Sequence, residues 1–241
     1  MSSAIGLADE EAVKELLQGT ILGLWEIVNN LTRLRPSRHE RYRVTIFGSA
    51  RAVEGTFVYE EARRIARALT ELGCDIITGG GPGLMRAANK GASEAQAGQA
   101  RSVGIRINLP FEQESNAFVT QLYEHRTFFT RLHHFVLASD AFIVAPGGIG
   151  TVLEAMMVWQ LLQVGHIAAT PLIFVGRMWT ALVEWARAYM LDARLNLASA
   201  ADLSIPHCVA TGDEALALIR VDHRRWVGAE THGGQLHDPR I

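Results

Sequence analysis

Ala145 to Leu161 reads APGGIGTVLEAMMVWQL. Three glycines, Gly147, Gly148 and Gly150, lead into the hydroxyl of Thr151 and one carboxylate, Glu154, within an otherwise apolar run. Packing accounts for the apolar residues but not for this combination. Glycines let backbone approach an anion closely, and a helix opening after them offers unpaired N–H groups at its positive dipole end. Glu154 stands at i+3 from Thr151 and i+4 from Gly150, so on a helix the three share a face. The acid is then either a first-turn residue favoured by the dipole or a working group beside an anion pocket. Val152, Leu153, Ala155, Met156 and Met157 predict a mostly buried helix, where a charge needs a partner or a purpose.

Two further glycine turns accompany this one, Gly48-Ser49-Ala50 and Gly79-Gly80-Gly81-Pro82-Gly83. The latter, with Met85 just inside the next helix, is the second long turn that opens directly into a helix. One such turn is most simply a tight strand-to-helix connection. Two at equivalent strand ends predict a phosphate cradle. No lysine follows either set of glycines, so neither is a Walker loop, and neither forms GxGxxG with a downstream ribose-binding acid. His133 and His134 are adjacent, so on a helix they diverge and cannot chelate a metal together; a polar helix edge is the expectation. No metal site is predicted.

The elements that position these turns repeat one theme. VTIFGSA, CDIIT, SVGIRINL, DAFIVA, PLIFVG and IPHCVATG are short apolar strands, and helical patterns follow most of them. The strands are continuous apolar runs instead of alternating ones. That predicts an α/β, Rossmann-like, doubly wound parallel sheet with helices on both faces. Ligands on such a sheet bind beyond the carboxyl ends of the strands, where the glycine turns lie.

Ahead of the sheet, residues 9–33 carry Val13, Leu16, Leu17, Ile21, Leu24, Ile27, Val28 and Leu31 at helical spacing. The predicted organisation is an N-terminal amphipathic helix and linker over 1–40, a Rossmann-like domain over 41–225 and a polar tail over 226–241. Of the 241 residues, 49% are hydrophobic and 20% charged, with a formal net charge of −2. That balance argues against a polyanion-binding surface, so no nucleic-acid partner is expected. Two cysteines, Cys74 and Cys208, make no disulfide framework. With no basic-then-apolar leader and no membrane-length apolar run, the expected location is cytoplasmic, with no membrane partner.

GGGPGLMRAANKGA and PGGIGTVLEAM together resemble the two signature segments of the LOG ("lonely guy") phosphoribohydrolases, long mislabelled as lysine decarboxylases. The resemblance runs from about Arg43 to Val221 and is sharpest in the two turns and in SDAFIVAPGG. LPFEQESN is similar to the longer bacterial members. The resemblance implies hydrolysis of the N-glycosidic bond of a nucleoside 5′-monophosphate, AMP or a cytokinin riboside 5′-monophosphate, to free base and ribose 5-phosphate. It implies no cofactor, a small-molecule nucleotide as partner and a homodimer or higher homo-oligomer.

The family's catalytic acid matches Glu154. Its arginine partner matches Arg131, 23 positions earlier, with Arg126 as a competitor of poorer spacing. Arg131 is expected to keep Glu154 ionised. Ser49, Gly80, Gly81, Gly83, Met85, Gly147, Gly148, Gly150 and Thr151 match the substrate-binding positions. Three departures, Leu132 for a lysine, Ile149 for a tyrosine and Leu153 for a second acid, bear on base recognition together with LPFEQESN. The competing reading is a non-catalytic carrier or sensor of a phosphorylated nucleotide-like cofactor, like the molybdenum-cofactor carriers, which would not need the Arg/Glu pair. A pyridoxal-phosphate decarboxylase would need a Schiff-base lysine. Lys90 is the one lysine near the turns, and its helical position suits a solvated face.

Overall fold

The computed structural model describes residues 10–31, 40–95, 100–108, 115–167, 170–192 and 194–231. Two compact units divide the chain, Met1–His39 and Glu40–Ile241. The first holds α1 (Glu10–Leu31), on which Leu16, Leu17 and Ile21 are exposed. These are three of the apolar positions expected at helical spacing.

The second unit is built on seven strands: β1 (Arg43–Phe47), β2 (Asp75–Thr78), β3 (Ser102–Ile107), β4 (Gln121–His125), β5 (Ala141–Val144), β6 (Leu172–Val175) and β7 (Pro206–Val209). Among the described residues they form one sheet in the order β4-β3-β2-β1-β5-β6-β7, with every neighbouring pair parallel. Helices α2 (Phe57–Glu71), α3 (Leu84–Glu94), α4 (Phe128–Ala138), α5 (Ile149–Gln163), α6 (Arg177–Met190) and α7 (Gly212–Thr231) connect and cover it. This is the Rossmann-like α/β fold that the continuous apolar strands predict.

Two cores flank the sheet. Val44, Ile46 and Ile76 pack with Ile65, Leu69, Leu84 and Ile219 from α2, α3 and α7. Phe47, Ile77, Phe142 and Phe174 pack with Phe135, Val158 and Trp179 from α4, α5 and α6. Alternate residues of one strand enter opposite cores, so a strand buried on both faces carries no polar alternation.

The chain winds outward from β1 to β4, then returns to place β5 beside β1. At that reversal the loops leaving β1 and β5 turn toward opposite faces of the sheet and open a crevice at its carboxyl edge. The glycine turns converge there.

Two elements differ from expectation. β4, QLYEH, is an edge strand with Leu122, Tyr123 and Glu124 exposed, so it lacks the apolar run that marks the central strands. α7 continues to Thr231, past the expected helix end near Val221 and into the stretch read as a polar tail; residues 232–241 lie outside those described. Cys74 and Cys208 are free thiols.

Candidate functional site

The turn after β1 ties the other two together. Ser49 N–H donates to the Pro146 carbonyl at 3.2 Å, and the Ser49 carbonyl accepts from Leu84 N–H at 2.9 Å. The Ser49 hydroxyl accepts from Arg51 N–H within its own turn. Gly83 is held so closely against this turn that a Cβ would lie 2.4 Å from the Ala50 carbonyl carbon, and its φ is +66°. Only glycine fits both constraints.

Gly83 and Gly148 are the N-caps of α3 and α5, and neither helix start is capped by a side chain. The Ser49 carbonyl takes the first N–H of α3, from Leu84, and the other leading N–H groups of the two helices are donors without a side-chain acceptor. Met85 packs under the β2 turn, its sulfur facing Gly79 and its methyl facing Gly81. Gly80 has φ +72°. In the β5 turn Gly147 lies against the Thr151 side chain, whereas a Cβ on Gly148 or Gly150 would meet nothing within 4 Å. Close packing demands glycine at Gly147 and not at the other two.

Arg131, on α4, meets Glu154, on α5. Its Nη1 donates to Glu154 Oε1 at 3.0 Å, and its Nε donates to the Ile105 carbonyl of β3 at 2.9 Å. The guanidinium lies 5.0 Å from the Phe135 ring centroid. With both side chains nearly buried, at 12% and 11% exposure, the carbonyl and the ring hold Arg131 in one orientation. The remaining nitrogen, Nη2, faces the β2 turn: a Cβ on Gly79 would fall 2.5 Å from it. The ion pair thus borders the glycine turn directly.

Burial is the largest influence on Glu154 and pushes its carboxyl up to about 7, with the charge and hydrogen bond of Arg131 opposing it. Arg131 was expected to keep this acid ionised. Desolvation outweighs the arginine, so near neutral pH the group both accepts and returns a proton.

Other expectations meet corrections. Arg126, the competitor expected on the same helix as Arg131, lies in the turn ahead of Thr127, the N-cap of α4. Leu132 is buried in α4, while Ile149 and Leu153 are exposed at the start of α5. Of LPFEQESN, residues 109–114 lie outside those described. His134 is no solvated edge: its Nδ1 pairs with His125 Nε2 at 2.9 Å, its ring packs edge-on to Tyr123, and burial lowers it to about 4. Among the described residues no three of His, Cys, Asp and Glu gather as a metal site. Gly79 and Asn116, which lie in the glycine turn and in LPFEQESN, are not among the binding positions expected from sequence, because their contacts with Arg131 and with Gly80 and Gly81 are long-range.

Lys90 pairs with Glu54, which projects from the loop before α2. That places its ammonium in an exposed ion pair and not against Glu154, so these residues do not fit a Schiff-base lysine. A separate cavity of about 280 Å³ lies between α5 and α6, lined by Met156, Trp159, Leu182, Trp185 and Leu197. Its lining includes no cationic side chain to meet a phosphate.

A family model described as "Possible lysine decarboxylase" matches residues 85–219, the span from the first turn of α3 into α7. The chain belongs to this family, the LOG family. Among curated relatives of this LOG-family chain is the pyrimidine/purine nucleotide 5′-monophosphate nucleosidase of Escherichia coli K12, 30% identical over 140 residues. That match takes in 55% of the LOG-family chain and 30% of the relative's length. Its counterpart in strain O157:H7 matches to the same extent.

Solved structures of similar fold include the molybdenum cofactor binding protein of Rippkaea orientalis, with TM-score 0.56 and 18% identity over 77% of this chain and 98% of that one. Another is the molybdenum cofactor carrier protein of Chlamydomonas reinhardtii, with TM-score 0.56 and 20% identity over 75% and 97%. At such identities the likeness is one of fold. No helix among the described residues is long and apolar enough to cross a membrane.

Proposed function

We propose that the protein hydrolyses the N-glycosidic bond of a nucleoside 5′-monophosphate, releasing free base and ribose 5-phosphate. The observation that carries this reading is the Arg131–Glu154 ion pair bordering the Gly79–Gly83 turn. A phosphate held by the glycine turns that open α3 and α5 supplies remote binding energy that positions the ribose. Departure of the base leaves oxocarbenium-like positive charge at C1′, which the Glu154 carboxylate stabilises.

The bond between C1′ and the base nitrogen breaks as water oxygen bonds to C1′. Glu154 takes the water proton and returns it to the base or to solvent, a cycle suited to an acid whose pKa is about 7. Arg131 orients the carboxylate and lowers the cost of its ionised form. Ser49, Gly80, Gly81, Gly83, Met85, Gly147, Gly148, Gly150 and Thr151 form the binding walls in this reading. AMP and a cytokinin riboside 5′-monophosphate are the substrates proposed. The nucleotide 5′-monophosphate nucleosidase relative supports this chemistry.

Carriage of a phosphorylated cofactor would use the same turns without needing a buried Arg/Glu pair. The two readings separate on base release from AMP and from N6-isopentenyl AMP by the wild type and Glu154→Gln. Release by the wild type alone supports hydrolysis. Binding without release by either protein overturns it in favour of the carrier.

A further inference from the structure

Beneath the β2 turn lies a polar network that the chemistry above does not use. Asn89 of α3 is fully buried, and its Oδ1 accepts from the Thr78 hydroxyl at 2.7 Å. Its Nδ2 donates to the Ser102 hydroxyl at 2.8 Å. Thr78 Oγ1 in turn accepts from Gly80 N–H at 2.9 Å. Asn116, which follows β3, closes the network from the far side. Its backbone N–H donates to the Gly80 carbonyl at 2.8 Å. Its Nδ2 lies 3.0 Å from each of three oxygens: Gly80 O, Gly81 O and Asn89 Oδ1. Three acceptors around one nitrogen settle which end of the amide is NH2.

We propose that Asn116 is a positioning residue that sets the glycine turn for the 5′-phosphate. This rests on the phosphate-binding reading of that turn. Gly80 is gripped at both polar atoms, its N–H by Thr78 and its carbonyl by Asn116. In a trans peptide the carbonyl and the following N–H point opposite ways. Holding the Gly80 carbonyl toward Asn116 therefore turns Gly81 N–H away from it, toward the crevice side of the turn. The next residue, Pro82, has no N–H, so the Gly81–Pro82 peptide contributes only an acceptor, and Asn116 draws that acceptor away from an incoming anion.

Consecutive glycines rotate a peptide at little steric cost. Without the Asn116 side-chain amide, the Gly80 carbonyl keeps only the Asn116 backbone N–H, while the Gly81 carbonyl loses its donor, swings toward the crevice and opposes a phosphate there.

Isothermal titration with ribose 5-phosphate tests this directly, using wild type, Asn116→Ala, Asn116→Ser and Asn116→Asp, each checked for folding by thermal melt. The wild type binds. Asn116→Ala and Asn116→Ser bind about tenfold more weakly, as loss of one half-buried amide clamp implies. Asn116→Asp, which aims a charged oxygen at three oxygens, binds more weakly still. In steady-state assays with nucleotide these variants raise KM more than they lower kcat, and the ratio of nucleotide to unphosphorylated nucleoside turnover falls. A merely structural role would move the melting temperature and leave that ratio alone. Folded variants that bind ribose 5-phosphate like the wild type overturn the assignment and leave the proposed hydrolysis standing. Wild type that fails to bind ribose 5-phosphate overturns both, whereas binding without turnover removes the hydrolysis alone.

Discussion

Arg131 lies so close to Gly79 that a methyl group on Gly79 would come within 2.5 Å of its Nη2. The same methyl would stand 2.6 Å from the Met85 sulfur. Both obstacles are ends of side chains, not backbone, so Gly79→Ala is expected to fold and to displace Arg131 from Glu154. Base release should fall about tenfold or more, since small displacements at a reacting centre are costly. The thermal midpoint should drop only a few degrees. Rate and melting curves together check this; an unchanged rate would mean that the arginine's place against the turn does not matter.

Glu154 sets a pH dependence of known sign. As a base it must be ionised, so the rate should climb with pH through about 7 and level off above. Glu154→Gln should lose about a hundred- to ten-thousandfold in rate, the usual weight of a general base. Rates at saturating nucleotide between pH 5 and 9 measure both.

The same group makes the folded protein less stable as pH rises. Burial lifts its pKa from the ordinary 4.5 to about 7, so the folded chain holds the proton more tightly than the unfolded one. The resulting stabilisation is complete below about pH 4.5 and is lost as pH rises through about 7, a change on the order of 3 kcal/mol. Denaturant titrations of wild type and Glu154→Gln should differ by that slope.

Arg131→Lys keeps a positive charge but loses the planar fork that bonds Glu154 and the Ile105 carbonyl together. Because Arg131 lowers the pKa of Glu154, weakening the contact should move the acid limb of the rate profile to higher pH. A limb that stays in place would separate the arginine from the ionisation of the acid.

Gly83→Ala should be the most damaging glycine substitution within the three turns. It combines a φ of +66° with a Cβ only 2.4 Å from backbone of the β1 turn. A loss of about 2–4 kcal/mol is expected, read by denaturant unfolding. Lys90→Met, by contrast, breaks only the ion pair with Glu54 and should change base release by less than about twofold, as such surface pairs are weak. A large loss there would reopen lysine-dependent chemistry.

Local order is what the amino-acid sequence determined by itself. Apolar runs such as AFIV and LIFV specify strands covered on both faces, and glycines before LMRAANKGA and GTVLEAM specify turns into helices, because these depend on neighbours a few residues away. The shared helical face of Thr151 and Glu154 follows from the same short-range periodicity. β4 escaped because an edge strand exposed to water carries no such run. The tertiary structure alone decided the rest. Sheet order brings α4 beside α5, so residues 23 positions apart meet at 3.0 Å. It folds Gly79 under Arg131 and closes Asn116 over Gly80 and Gly81. It also settles the proton affinity of Glu154, because desolvation depends on everything packed around the carboxylate and not on its neighbours in the chain.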